Sequence, residues 1–234
     1  MSQITTCTFF NLSGLPNKWW AFKQMQLSTN SLSGIDGLVF TKLLGSGAKN
    51  GFSTIPNFGV YVLLCVWDSE DKANTFFLEN DYFIKYTSKC DEYFTAFLNS
   101  AEVHGKWDGI QPFIPTAKLS LDKPVMVLTR ATIRPSKLFS FWRRVGKVSE
   151  SLEKYDGLLI SLGVGELPLI QQATLSIWKT QSEMMDYAYK NKKHKEVVLL
   201  TRKLNWYKEE MFSRFVPYKF QGIWDGKSVE NLLD

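Results

Sequence analysis

The sequence is poor in the residues that build disulfide frameworks and metal sites. Its 234 residues include three cysteines and two histidines. Cys7, Cys65 and Cys90 are widely spaced and odd in number, which excludes a disulfide framework and a cysteine-based zinc motif. His104 and His194 are too few for a multi-histidine metal site. We expect a protein of a reducing compartment, in which Cys65, inside an apolar run, is a small core residue.

Long apolar runs are also absent. No stretch approaches the roughly 20 residues that cross a bilayer. No basic segment followed by an apolar core marks a signal peptide at the N-terminus. The expected location is therefore cytoplasmic, and a net charge of +5 leaves contact with a membrane surface open.

A strong basic stripe is missing as well. The lysines are scattered apart from one cluster between residues 190 and 195, which suits a solvated helix end. Because no nucleic-acid-binding motif accompanies it, we expect no nucleic acid partner. Aromatic residues, in contrast, make up 15% of the chain, within an apolar fraction of 44%. This composition predicts a sizeable core and a hydrophobic small-molecule partner.

The chain repeats itself at long range. Trp67 opens a stretch that closes with GKWDG at 105–109, and Trp178 opens one that closes with GIWDG at 222–226. The repeat is longer than the roughly 20–50 residues of a solenoid unit, so it predicts two similar halves packed on each other. At the spacing of the two tryptophans, Phe83 in the first half corresponds to His194 in the second.

Short apolar runs rich in β-formers and bounded by turn residues predict six strands. They cover residues 5–12, 38–44, 60–67, 123–133, 157–163 and 173–178. Aromatic-rich helices are predicted at 18–26 and 137–145. A long helical region follows each repeated tryptophan, at about 69–98 and about 181–213, with a break near Asn80 and Asn191.

The order in each half, strand, helix, strand, strand, helix, strand, is that of the split βαβ, or ferredoxin-like, unit. We predict an α+β protein whose two duplicated ferredoxin-like halves are fused into one domain like a dimeric α+β barrel, with a closed eight-stranded sheet. The first half spans 1–114, the crossover 115–123 and the second half 124–234. Two independent small domains joined at the crossover are the alternative.

Two glycine motifs, GSG at 45–47 and GVG at 163–165, complete neither the dinucleotide pattern nor the P-loop pattern. Their duplication favours a structural role in ending a strand and starting a turn. Two adjacent carboxylates, Glu209 and Glu210, are predicted on the helix that ends the second half, where their spacing from Trp206 would turn one of them inward. Solvated helix carboxylates are the alternative.

His194 begins a predicted helix and shares a face with Val197, Val198 and Thr201 at helical spacing. A single histidine on the apolar face of a helix is how many haem proteins present the proximal ligand, which leaves the opposite face of the iron open for oxygen. A hydrogen-bonded histidine in the core or at its rim is the alternative.

Several longer segments carry a resemblance over nearly the whole chain. They are LTRATIRP at 128–135, FWRRV at 141–145, GVGELPLIQQATLSIW at 163–178, WYKEEMFSRF at 206–215, KLLGSG at 42–47 and GFSTIPN at 51–57. Together they resemble the spheroidene monooxygenase family of carotenoid-biosynthesis enzymes. The chain departs from the family pattern at Lys179, where members tend to carry a proline, and in the lysine-rich segment before His194.

The resemblance implies an oxygenase with b-type haem that uses O2 to oxidise the end region of a long linear carotenoid at C-2, by hydroxylation or ketone formation. It implies His194 as the axial ligand of the iron. Arg130 and Trp206 match family motifs, but the resemblance itself gives them no role. In the haem hypothesis Arg130 would pair with a haem propionate or polarise oxygen, and Trp206 would line the cofactor site. The alternatives are an arginine at a solvated strand end or in a surface ion pair, and a tryptophan that only packs in the core. An electron donor protein is a further implied partner, and no oligomeric state is indicated.

Two other functions stay open on the sequence. One is a non-catalytic barrel that binds a hydrophobic ligand, because fold alone does not decide function. The other is a haem-independent decarboxylase or isomerase with Glu209 or Glu210 as its base. The sequence assigns no role to Glu166.

Overall fold

The computed structural model describes residues 2–48, 55–144 and 155–233. Within them the chain forms nine strands and six helices. The strands are β1 Ile4–Asn11, β2 Leu38–Gly47, β3 Pro56–Trp67, β4 Glu92–Gly105, β5 Val125–Ile133, β6 Leu158–Leu167, β7 Gln171–Trp178, β8 Tyr207–Trp224 and β9 Lys227–Ser228. The helices are α1 Leu15–Ser31, α2 Glu70–Glu79, α3 Asp81–Thr87, α4 (of which 138–144 are described), α5 Gln181–Lys190 and α6 Lys192–Leu204.

Eight of the strands form a closed antiparallel barrel. Their order is β4-β1-β3-β2-β6-β7-β5-β8, pairing between β8 and β4 completes the ring, and β9 adds to β8 outside it. Closure leaves no long unpaired sheet edge. The predicted α+β class and closed eight-stranded sheet are confirmed. The six predicted strands coincide with β1, β2, β3, β5, β6 and β7, several of which extend two or more residues further.

Strand pairing follows the same scheme in both parts of the chain. β3 lies between β1 and β2, and β7 lies between β5 and β6. The repeated tryptophans take matching places, since Trp67 pairs with Ile4 at the start of β1 and Trp178 pairs with Val125 at the start of β5. The internal repeat therefore corresponds to equivalent positions in the sheet.

The last strand of each half was not located from the sequence. The sequence predicts helix over 69–98 and 181–213, but the helices end at Thr87 and Leu204, and strands begin at Glu92 and Tyr207. In β8 buried and more exposed residues alternate, which is the period of a strand and not of a helix. The predicted breaks are confirmed. Asn80 ends α2 and caps α3, where its side chain accepts hydrogen bonds from two backbone N–H groups.

The interior of the barrel is a packed apolar core. Its buried residues include Phe9, Leu64, Phe94, Leu128 and Phe215. Two further clusters pack the helices of each half against the outside of the sheet. Binding sites are therefore expected at the ends of the barrel or between sheet and helices, not within it.

The buried cysteines belong to this packing. Cys65 is 1% exposed, as predicted for a core residue. Burial raises the pKa of its thiol to about 12, despite an opposing hydrogen bond with Thr41. A thiol with so high a pKa carries almost no thiolate at neutral pH and is unreactive.

The two glycine motifs join the halves. Gly45 pairs with Gly165 and Ser46 pairs with Val164, which links β2 to β6. A Cβ atom at Gly165 would collide with the carbonyl oxygen of Gln171 on the neighbouring strand. GSG ends β2 at Gly47, as predicted, whereas GVG lies inside β6 and starts no turn. Among the helices in the described ranges, none is both long and apolar enough to cross a membrane.

Candidate functional site

A cluster of charged side chains closes one end of the barrel. Arg130 on β5 lies at its centre and is 1% exposed. Three carboxylates surround it, Asp108 after β4, Glu166 on β6 and Glu209 on β8, and Lys42 on β2 pairs with two of them. These five residues, called the charged cluster below, come from five different segments of the barrel and hold them together.

The guanidinium group of Arg130 is held on several sides. Nη1 donates to Oε1 of Glu209, while Nη2 lies 3.2 Å from Oδ1 of Asp108 and 3.4 Å from Oε1 of Glu166. Its Cζ atom lies 5.4 Å from the ring centre of Trp107, a cation–π contact. The alternative of an arginine at a solvated strand end is wrong. A buried arginine requires such partners, because an unpaired buried charge is strongly destabilising.

Glu166 connects the first half of the chain to the second. Its Oε1 accepts a hydrogen bond of 2.8 Å from the indole Nε1 of Trp107, and its Oε2 lies 2.7 Å from Nζ of Lys42. Burial alone would lower the pKa of Lys42, but its hydrogen bonds to Asp108 and Glu166 outweigh burial and raise it. Lys42 is therefore held as a cation.

Glu209 binds the turn that follows β4. Asp108 and Gly109 have φ of 53° and 80°, as in the Asp-Gly hairpin turns of type I′. Their backbone N–H groups donate to the two carboxylate oxygens of Glu209 at 3.0 and 2.8 Å. Burial would raise the pKa of Glu209, but these two N–H donors and Arg130 outweigh burial and lower it. A carboxylate with a lowered pKa is a weak base, which argues against Glu209 as a general base.

The opposite end of the barrel repeats the turn without the charges. Asp225 and Gly226 also have positive φ, and their N–H groups donate to the carboxylate of Glu92 at 3.1 and 3.0 Å. Phe9 takes the position that Arg130 has at the other end. Phe9 lies two residues before Asn11, the partner of Glu92 in the sheet, and Arg130 lies two residues before Thr132, the partner of Glu209. Phe9 packs edge-on against Trp224 with ring centres 6.0 Å apart. One end is therefore ionic and the other aromatic.

The predicted iron ligand lies on α6, whose backbone runs from Lys192 to Leu204. The side chain of His194 is outside the described residues. On the face predicted for it, Val197 and Thr201 are half-buried, and Val198, one turn further along, is 42% exposed. The corresponding residue of the first half, Phe83 on α3, is buried in the aromatic core.

Trp206 follows α6 and is fully buried. Its Nε1 donates to Oγ of Ser140 at 3.2 Å, and its ring meets Phe141 edge-on at 5.6 Å. Trp206 therefore fixes the C-terminal end of α6 against α4. The structure places it in the cluster that includes Ile133 and Phe141, and not among the partners of Arg130.

The two adjacent glutamates do not lie on a helix. Both belong to β8, so their helical spacing from Trp206 does not apply. Successive residues of a strand point to opposite sides, and Glu209 is half-buried in the charged cluster while Glu210 is exposed. The sequence missed Lys42, Asp108 and Glu166 as partners of Arg130. The available signal was the repeated Trp-Asp-Gly, which marks a hairpin turn at each barrel end.

An apolar groove lies beside the charged cluster, on the outside of the barrel. It has a volume of about 880 Å³ and runs between α1, the facing ends of β2 and β3, and the turn from β6 to β7. Its apolar lining includes Trp19, Phe22, Phe58, Tyr61 and Leu169. We call it the α1 groove.

The closed barrel with helices packed outside it defines the structural class. It is similar to a solved aldoxime dehydratase, with a TM-score of 0.63 over 92% of this chain and 81% of that one. A second aldoxime dehydratase, in complex with butyraldoxime, gives a TM-score of 0.66 over 99% of this chain and 85% of the other. Sequence identity is 8% in both cases, so the likeness shows the fold alone.

Sequence comparison is more specific. No protein-family model matches the chain. The spheroidene monooxygenase of Cereibacter sphaeroides is 33% identical over 226 residues, 96% of this chain and 70% of that protein. The enzyme of Rhodobacter capsulatus is 32% identical over 96% of this chain and 94% of its own length. That of Rubrivivax gelatinosus is 31% identical over 89% and 80%. The chain belongs to the spheroidene monooxygenase family, and the resemblance seen in its motifs is confirmed.

Proposed function

We propose that the chain is a haem-dependent monooxygenase that oxidises the end region of a long linear carotenoid, by C-2 hydroxylation or ketone formation. The observation that carries the proposal is the identity of 32–33% to enzymes named spheroidene monooxygenase across 96% of the chain. In hydroxylation, one atom of O2 enters a C–H bond and the other leaves as water. An electron donor protein would supply the two electrons, with two protons from solvent.

In this proposal the haem group lies against α6. A proximal ligand needs an imidazole on a rigid element with apolar surface beside it. α6 carries His194, and the exposed Val198 one turn away offers apolar surface that the described residues leave uncovered. The other histidine, His104, is exposed on β4 and has no helical face. When bound, b-type haem would supply the activation of oxygen.

The protein's own residues would position this group. Trp206 anchors the end of α6 through Ser140 and Phe141, so it would fix the helix that carries His194. Arg130, proposed from the sequence as a catalytic and cofactor-binding residue, is already bonded to Glu209, Asp108 and Glu166. Its guanidinium would act most directly by fixing the barrel end and the Glu166 carboxylate that borders the α1 groove.

The division into duplicated ferredoxin-like halves is part of the same proposal. β1 to β4 fall within 1–114 and β5 to β9 within 124–234, with no helix or strand in 115–123. The matching pairings of Trp67 and Trp178 support one ancestral unit. Only the second unit would carry the haem ligand, because Phe83 stands in place of His194 in the first.

A second candidate is a barrel that binds a hydrophobic ligand without reaction. The α1 groove favours it, because an apolar groove needs no catalytic group to bind a polyene. Absorption spectra and turnover separate the two functions. Protein from haem-supplemented cells should show a Soret band that shifts on reduction and with carbon monoxide. With a donor system and spheroidene, isotope-labelled O2 should place one labelled oxygen in the product. If neither a Soret band nor labelled product is found, the monooxygenase function is rejected and ligand binding without reaction is favoured.

A further inference from the structure

Helix α1 has apolar side chains on both sides: Trp20 and Met25 pack against the core, and other large apolar residues face outward. Its buried residues are small or polar, Ala21, Gln24 and Ser28. Its exposed large apolar residues are Leu15, Trp19, Phe22 and Leu27. A surface helix ordinarily turns its apolar stripe inward and its polar face to water. The exposed apolar side chains of α1 are therefore left for an apolar partner.

The outward face of α1 forms one wall of the α1 groove. Trp19, Phe22 and Leu27 line it, and they are 59%, 43% and 51% exposed. Phe22 stacks on Trp19 with ring centres 5.7 Å apart and meets Phe58 of β3 edge-on at 5.4 Å. The aromatic wall is therefore held in place by contacts among its own rings.

Few charged side chains line the groove. They are Lys23 and Glu166. Glu166 is bonded to Lys42 and Trp107, and exposed Lys23 has its Nζ 5.4 Å from the ring centre of Trp19. The other lining side chains are uncharged, so most of the lining is complementary to an uncharged ligand.

We propose that the α1 groove binds a stretch of a neutral, linear polyene chain. The proposal rests on the proposed function and gives that function a substrate site. Trp19 to Leu27 follows α1 for about 12 Å at 1.5 Å per residue, which suits an extended ligand. The volume of about 880 Å³ lies near the upper end of small-molecule pockets. A rigid polyene loses less conformational freedom on binding to flat aromatic walls than a flexible acyl chain does.

A chain of contacts joins the groove to α6. The carbonyl oxygen of Leu169, at the groove, accepts a hydrogen bond of 3.1 Å from Nε1 of Trp142 on α4. The ring of Trp142 packs against Phe141 at 5.4 Å, and Phe141 packs against Trp206 at 5.6 Å. Packed side chains therefore connect the groove to the end of the helix that carries His194.

The test uses diphenylhexatriene, a neutral linear polyene that fluoresces only in apolar surroundings. The full chain is titrated with the probe, alongside the variants Phe22→Asp and Phe58→Asp. Each should weaken binding about tenfold or more, because a charge replaces a ring in the wall. Ile84→Asp is the matched control, since Ile84 on α3 and Phe58 are both 46% exposed and Ile84 lies outside the groove. The control should bind the probe like the wild type.

Unchanged probe binding in both groove variants, with folding verified by circular dichroism, would overturn the proposal. Sedimentation and vesicle flotation run on the same proteins test other occupants. If Phe22→Asp converts a dimer into a monomer, or removes vesicle binding while the probe still binds, the groove is covered by a second copy or by lipid and the proposal fails. If the groove variants weaken probe binding but the protein shows neither a Soret band nor turnover, the binding site is confirmed and the proposed function is rejected.

Discussion

Glu92 and Glu209 perform the same task at opposite ends of the barrel. Each carboxylate accepts hydrogen bonds from both backbone N–H groups of an Asp-Gly turn. They differ in their third partner, which is the amide of Asn11 for Glu92 and the buried Arg130 for Glu209. The pair therefore provides an internal control, because the same substitution tests the turn alone at one end and the turn plus the charged cluster at the other.

Glu209→Gln should destabilise the fold more than Glu92→Gln. A glutamine offers one acceptor oxygen to two N–H donors, and hydrogen bonds to charged groups contribute about 1.5–3 kcal/mol each. At Glu209 the substitution also removes one anion from Arg130. We expect a loss of about 2–4 kcal/mol for Glu209→Gln and about 1–2 kcal/mol for Glu92→Gln in urea unfolding. Equal losses would show that Arg130 contributes nothing through Glu209.

Arg130→Met should be among the most damaging single substitutions. It keeps the length of the side chain but leaves Asp108, Glu166 and Glu209 without their shared cation. Breaking a buried ion pair in this way costs about 3–5 kcal/mol. Thermal unfolding of the variant measures the effect. Arg214→Met is the comparison. The side chain of its partner Glu102 is 42% exposed, so the unpaired carboxylate stays hydrated and the loss should be about 1 kcal/mol or less.

Stability should fall in acid through the turn-binding glutamates. Their pKa values are lowered in the folded state, since hydrogen bonds to backbone N–H groups outweigh burial. The unfolded chain then binds more protons than the folded chain just below pH 4.5, the ordinary pKa of glutamate. Stability is thus full above that pH and is lost as pH falls through the folded pKa values. Unfolding free energies from pH 7 to 3 should show a shallower acid decline for the double variant Glu92→Gln/Glu209→Gln. A parallel decline would exclude these carboxylates as its cause.

His194→Ala should remove the Soret band of haem-loaded protein, and His104→Ala should leave it intact. The first substitution deletes the proposed axial ligand on α6, while the second changes an exposed residue of β4. Imidazole added to His194→Ala should restore part of the band, because a small ligand can occupy the space left by the side chain. The reverse pattern between the two variants would reject His194.

Gly165→Ala should disturb the pairing of β6 with β7, next to the junction with β2, and Gly45→Ala should not. A Cβ at Gly165 meets the carbonyl oxygen of Gln171, whereas one at Gly45 lies 3.7 Å from Met25 and Tyr61, an ordinary contact. Overpacking of this kind costs about 1–3 kcal/mol. Comparison of the two melting temperatures tests the difference, and an equal effect would mean that the strands shift freely at the junction.

The barrel could be predicted from the sequence because most of its strands are short apolar runs, and the second half of the chain repeats those of the first. It failed at β4 and β8, where a strand follows a helix after a few residues and amphipathic residues such as Tyr207, Lys208 and Glu209 suit either period. These segments form strands because one side of the sheet is buried, and that burial arises only from tertiary packing.

The charged cluster was predictable only in part. Arg130 stood out by resemblance, but its partner Glu209 lies 79 residues away and its partner Glu166 lies 36 residues away. No local spacing encodes contacts between strands that meet only in the closed barrel. The α1 groove was missed for another reason. Periodicity shows that a helix has an apolar side but not whether that side faces the core.

The barrel is unevenly closed. β4 and β8 pair from Phe94–Gly222 to Gly105–Met211, whereas β2 and β6 pair at Gly45–Gly165 and Ser46–Val164 in the described part of the chain. Local opening follows the least supported hydrogen bonds. Amide hydrogens at the β2–β6 junction should therefore exchange with solvent long before those between β4 and β8. Because the α1 groove borders that junction, a bound ligand would slow this exchange, and occupancy of the groove would set how often the barrel opens between β2 and β6.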